Sequence, residues 1–374
     1  MTKGKPVKFL FLSEEDMVRA GVLDMGQCVE TMVDMFRLMG KGDYLLGGAS
    51  QSSHGIKLVF PETSEFPNMP VAGPDRRFMA MIGYLGGDFN ICGEKWYGSN
   101  IINPSRGLPR SILNIILNDP DTSEPLAFMS ANLVSAMRTG AIPGVGARYL
   151  ARKDSKTIGV VAAGVISKAS LMSLAYVLKE AKEVKVFDLN EEKSSSFCEE
   201  MSKELDLNVH PVDSLEECVV DSDVVNVAAS GKVSPHIKAE WVKEGAYLAL
   251  PAGISFDPYY LYEVPEKVVV DHWKMHMAFR EELEGLDIET HFGLGSKYIF
   301  KYIEEGKMKD EDVVSLGDVI TGNKPGREND HERTVCITGG LPTEDLAWSY
   351  SVYQNALKKG IGQELTLWNQ PHWF

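Results

Sequence analysis

The chain has 374 residues, 44% of them hydrophobic and 24% charged, an ordinary balance for a globular protein with room for two domains and their own cores. A formal net charge of −15 argues against a nucleic-acid surface or an acidic membrane as partner, because phosphate contacts need clustered Lys and Arg. Cys28, Cys92, Cys198, Cys218 and Cys336 are scattered with no C-x-x-C pair, so neither a disulfide framework nor a zinc site is expected. No apolar run approaches ~18 residues and the start lacks a signal-peptide core, which makes a reducing cytoplasm the expected setting.

In chain order, Ser13 followed by Glu14, Glu15 and Asp16 predicts a helix start, with Ser13 as N-cap and acids where the helix dipole favours them. A second helix is predicted over 25–39, with Met25, Cys28, Val29, Met32, Met35, Phe36 and Met39 on one face. That Met-rich face reads as core or dimer packing. Short apolar runs at 56–60, 77–82, 112–117 and 126–128 predict strands of a first sheet, and the turn cluster 119–125 joins the last two as an antiparallel pair. Trp96 and Tyr97 hint at an aromatic-lined pocket. A helical segment over 131–152 carries Pro143, which should kink it.

The most telling stretch follows. Residues 156–167 read as an apolar β-branched strand and a small-residue turn entering a helix, and a second strand over 184–187 ends in Asp188. This is the βαβ pattern that seats a dinucleotide pyrophosphate on a helix N-terminus. Of the three usual glycine positions Ala162 holds the first, Gly164 the second and Ser167 the third. The middle glycine governs backbone access to phosphate, so Ala163, Gly164, Val165 and Ile166 are the expected pyrophosphate contacts. Asp188 is expected to accept from the adenosine ribose. A carboxylate there repels a 2′-phosphate, so the cofactor is expected to be NAD rather than NADP. Further strands at 224–229, 247–250 and 268–270 alternate with helices, which predicts a Rossmann-like, doubly wound parallel sheet. Ser230, just past a strand C-terminus, is a candidate nicotinamide-side contact.

Several segments in the right order resemble the ornithine cyclodeaminase and mu-crystallin family. They are Gly93-Glu94-Lys95 with Asn103 downstream, Arg106-Gly107-Leu108-Pro109, the run from Ser135 to Ala141 containing Arg138, 147–152, 316–322, and 339–347 with Glu344-Asp345-Leu346-Ala347. The resemblance implies an α/β protein of two domains. A substrate-binding and dimerising α+β domain is expected over 1–130, an NAD-binding domain over 131–322, and a C-terminal segment over 323–374 that returns to the first. It implies hydride transfer between NAD and the α-carbon of an amino acid or its imine, in a homodimer. Lys95 and Arg138 then fall at the positions that clamp the substrate carboxylate, and Lys57 stands in for a third arginine, keeping the charge without the bidentate fork. By pattern alone, Arg138 could instead be a surface ion pair and Lys95 a solvated strand residue.

The family's catalytic aspartate falls in a loop corresponding to 251–258, where Asp257 is the sole carboxylate; it is the expected general acid/base, with an Asx-Pro turn former as the alternative. Glu94 should point to the opposite face from Lys95. His272 and His276 are four apart beside Asp271 but no third ligand is indicated, so no metal is expected. The altered glycine turn, Lys57 and the displaced Asp257 leave a second reading open: a non-catalytic nucleotide-dependent binding protein of the mu-crystallin type.

Overall fold

The computed structural model describes residues 4–230, 234–282 and 295–373. The chain forms two compact units, one made of Met1–Asp24, Asp43–Ser135 and Leu341–Phe374, the other of Met25–Gly42 and Ala136–Gly340. These bounds differ from those expected at residues 131–135, which stay in the first unit, and in two further places. The helix α2 (Met25–Lys41) belongs to the second unit, because its buried Met, Val and Phe face packs there, on helices 316–321 and 165–177. Residues 323–340 also stay in the second unit, since strand Thr334–Ile337 is an interior member of its sheet.

In the first unit, helix α1 (Glu14–Ala20) starts with a reciprocal capping box between Ser13 and Asp16. Its sheet comprises β1 (Val7–Leu12), β2 (Tyr44–Leu46), β3 (Ile56–Val59), β4 (Arg77–Leu85), β5 (Ile91–Ser99), β6 (Ser111–Asn118), β7 (Pro125–Ser130) and, from the C-terminal segment, β18 (Gln363–Trp368). The order is β18-β1-β7-β6-β5-β4-β2, with β3 also on β4; all pairs are antiparallel except β1 with β7. Asp119 nucleates the β6–β7 turn by accepting from the backbone N–H groups of Asp121 and Thr122. Alternation along β4 and β6 buries Met79, Met81, Ile115 and Leu117 on one face, which the helix Pro342–Lys359 covers.

The second unit opens within α3 (Asn132–Leu150), which is assigned helical across Pro143; the Tyr247 hydroxyl donates to the Pro143 carbonyl oxygen at 3.3 Å. Its eight strands are β8 (Thr157–Val161), β9 (Glu183–Phe187), β10 (Asn208–Pro211), β11 (Val224–Val227), β13 (Tyr247–Leu250), β15 (Lys267–Val270), β16 (Val313–Ser315) and β17 (Thr334–Ile337). All are parallel, in the order β10-β9-β8-β11-β13-β17-β15-β16. The order reverses between β8 and β11, and in an open α/β sheet the ligand crevice lies beyond the strand C-termini at that switch point. A separate two-stranded ribbon joins β12 (His236–Ile237) to β14 (Ser255–Phe256). Among the described residues no helix is long and apolar enough to cross a membrane, and no group of three or more His, Cys, Asp or Glu could hold a metal ion.

Candidate functional site

The turn between β8 and α4 (Val165–Val177) lies at that switch point. Ala162 is left-handed, with φ +76°, the conformation glycine normally supplies here; it costs an L-residue roughly 1–2 kcal/mol. Two hydrogen bonds hold it there. The Ala162 N–H donates to the Phe187 carbonyl at 2.7 Å, and the Ala163 N–H donates to Asp188 Oδ2 at 2.8 Å. The other Asp188 oxygen accepts from the Asn190 N–H at 2.9 Å. The acid is therefore oriented by both ends of the unit it serves.

Gly164 is the helix N-cap, with an extended backbone at φ −103° and ψ 178° that any residue could adopt. What singles it out is space. A Cβ built there meets no atom within 4 Å, so the position looks onto open volume at the head of a helix whose first turn has no side-chain cap. Uncapped N–H groups at the positive end of a helix dipole are suited to receive a phosphate. Ser167 is fully buried, which explains why a small residue is wanted at the third position. Ser230 is exposed, three residues beyond the end of β11 and thus beside the crevice; Gly231 lies outside the described residues. This donor set fits a dinucleotide, and the carboxylate of Asp188 fits NAD.

In the first unit Lys95 points inward from β5, opposite Met81 of β4 and Ile115 of β6. It is 2% exposed, and its Nζ lies 2.6 Å from Asp345 Oδ2, which is 0% exposed. Asp345 comes from the first turn of the helix Pro342–Lys359. The solvated-lysine alternative is thus excluded. Glu94, one residue away, is half-buried, as strand alternation requires. Trp96 is also on the face opposite Lys95, where it stacks on Phe78 with centroids 5.6 Å apart. With Phe60, Arg76 and Ile112 they line a groove of about 430 Å³, the aromatic-lined pocket that Trp96 hints at; Tyr97 is not in its lining, and the groove is not on the lysine's side of the sheet. Lys57 sits on β3, all four of whose residues are exposed.

Arg138 is 6% exposed on α3, so it is not a surface ion pair. Its guanidinium lies on Gly340, where an added Cβ would come 2.5 Å from Nη1; Gly340 also has φ +85°. Nearby in sequence from β15, the Asp271 carboxylate accepts from His276 Nε2 at 2.7 Å. Burial alone would raise Asp271, but His276 and the N–H groups of Gly340 and Gly339 outweigh it and hold the carboxyl below its ordinary range. Burial pushes His272 down to about 4.

The structure gives Asp257 a different task from the one expected. Its carboxylate accepts from the Ala239 N–H at 2.8 Å and lies 3.2 Å from His236 Nε2, bracing the β12–β14 ribbon. The Ala239 N–H, with His236 beside it, holds the carboxyl below the usual carboxylate range. A carboxylate kept ionised by a cap is a poor proton donor, which speaks against the general-acid role, and its partners 18 and 21 residues away are not those of an Asx-Pro turn.

A doubly wound parallel sheet with an open turn at its switch point is the architecture of a dinucleotide-binding oxidoreductase. The chain belongs to the ornithine cyclodeaminase/mu-crystallin family, whose description matches residues 22–360. It is 32% identical over 297 residues to N-((2S)-2-amino-2-carboxyethyl)-L-glutamate dehydrogenase of Staphylococcus aureus, covering 78% of this chain and 82% of that one. Among solved structures it is similar to the Thermococcus litoralis Δ1-pyrroline-2-carboxylate reductase in complex with NADH and L-proline. There the TM-score is 0.77 and the identity 26%, over 95% of this chain and 99% of that one. An archaeal alanine dehydrogenase dimer with bound NAD also gives a TM-score of 0.77, with 28% identity over 96% of this chain and 100% of that one.

Proposed function

We propose that this enzyme interconverts an α-amino acid and its imine, with Lys95, Arg138 and Lys57 binding the substrate carboxylate. When bound, the nicotinamide supplies or accepts the hydride at Cα; reduction of the imine also places one proton on nitrogen, and oxidation removes it. Ala163, Gly164, Val165 and Ile166 hold the pyrophosphate, Asp188 the adenosine ribose, and Ser230 the nicotinamide side. The observation that carries the reading is the burial of Arg138 and Lys95, two cations withdrawn from water at positions a surface role would leave exposed. Two cations neutralise a carboxylate and fix the orientation of Cα, a positioning contribution that raises rate by removing rotational freedom. Purified protein assayed with NADH and Δ1-pyrroline-2-carboxylate, and with NAD and a panel of L-amino acids, should turn over at least one member. Arg138→Met should raise KM at least tenfold. No turnover on any member would favour the non-catalytic binding reading instead.

We also infer a homodimer built on the outer face of the first unit's sheet. Phe78 and Ile82 of β4, Trp96 of β5 and Ile112 of β6 are all exposed there on adjoining strands. A contiguous apolar face of this kind is rare on a monomer. Light scattering should give twice the chain mass, and Ile112→Lys should reduce it to one. None of the five cysteines is in a disulfide, which suits a reducing compartment such as the cytoplasm.

A further inference from the structure

The buried carboxylate of Asp271 has more partners than a structural acid needs. Its Oδ1 accepts from the His272 N–H at 2.8 Å as well as from His276, and its Oδ2 accepts from the N–H groups of Gly339 at 2.6 Å and Gly340 at 2.8 Å. His276 is fully buried, and its Nδ1 lies 2.8 Å from Ser296 Oγ, which is fully buried too. A carboxylate only accepts, so Nε2 donates to Asp271, while Nδ1 and the serine hydroxyl share the second hydrogen bond. Serine, histidine and aspartate in a row suggest a nucleophile triad, but no substrate reaches a serine sealed from solvent, and the free end of the aspartate is spent on the backbone.

That backbone is the one under Arg138. Gly339 and Gly340 follow β17, and the left-handed Gly340 presents its Cα to the guanidinium, leaving no room for a side chain. Two parallel N–H donors to one carboxylate oxygen fix the turn's orientation, and the histidine and serine fix the carboxylate. We propose that Asp271, His276 and Ser296 are positioning residues that set the guanidinium of Arg138 by locking the Gly339–Gly340 turn. This rests on the reading of Arg138 as a substrate-carboxylate ligand. It also explains why an ionisable pair is kept in the core, where an apolar pair of similar volume would be no less stable.

The test is a double-mutant cycle on whichever substrate of the panel turns over. Asp271→Asn should raise KM for the amino acid or imine at least tenfold, with the NADH dissociation constant within twofold of the parent. In an Arg138→Met background the same change should add less than twofold, since there is no guanidinium left to misplace. His276→Gln, which keeps a donor toward Asp271, should recover most of the KM lost in His276→Phe. Should Asp271→Asn fail to fold, Ser296→Ala and His276→Phe carry the same cycle. A second readout needs no substrate: phenylglyoxal labelling of the NADH-loaded protein, mapped by mass spectrometry, should modify Arg138 at least fivefold faster in Asp271→Asn. Additive KM effects with unchanged labelling would overturn the positioning role. A flat KM in Arg138→Met, with labelling still accelerated by Asp271→Asn, would instead refute the substrate role of the arginine and leave the relay standing.

Discussion

Replacing Lys95 by Met tests the buried pair of the first unit directly. Nζ and Oδ2 are 2.6 Å apart and both side chains are almost without solvent contact, so each charge is stabilised by the other. Removing the ammonium takes from the buried Asp345 its counter-charge at 2.6 Å, and breaking such a pair typically costs about 3–5 kcal/mol. At roughly 2–4 °C per kcal/mol for a unit of this size, the melting temperature of that unit should fall by roughly 6–20 °C. Lys95→Met combined with Asp345→Leu should recover most of the loss, because two apolar groups of similar volume need no partner. Calorimetry is the suitable assay, since two compact units need not unfold in a single step. Activity supplies the second axis: the double variant should be stable yet remain without turnover, separating the lysine's fold role from its proposed substrate role. A Lys95→Met protein melting within about 2 °C of the parent, or a double variant no more stable than the single one, would refute the reasoning.

Three further outcomes are expected. Gly164→Val should fold normally, because its backbone is extended and its Cβ direction empty, while NADH affinity measured by fluorescence titration drops at least tenfold; unchanged affinity would remove the phosphate cradle from this turn. His272, held neutral by burial with its imidazole near 4, makes the fold lose stability as pH falls from about 6.5 to about 4, since the unfolded chain gains a proton the folded one refuses. The swing is about 3 kcal/mol, and urea titrations of His272→Gln across that range should show it missing. Asp257→Asn should leave kcat within about threefold and lower thermal stability instead, because its carboxylate caps the Ala239 N–H; a loss of several hundredfold in kcat would restore it as the acid/base.

The alternation of strands and helices, the small-residue turn at 162–164 with Asp188 beyond it, and the capping signal at Ser13 are local features, and each was legible because periodicity and turn chemistry are properties of neighbouring residues. Harder to read were β10, the short edge strands, and β17, an interior strand whose four residues follow a polar run and show no alternation because both faces are covered. Asp345, a partner of Lys95, lies 250 residues away, and the Asp271 cradle reaches 68 and 69 residues to Gly339 and Gly340. Asp257 looked catalytic by its loop and became a cap when the chain brought Ala239 and His236 to it. Composition and local pattern therefore determined the fold class and the cofactor turn. Tertiary packing alone decided which charges are buried and what holds them, because desolvation and hydrogen-bond geometry depend on neighbours in space, which no spacing along the chain encodes.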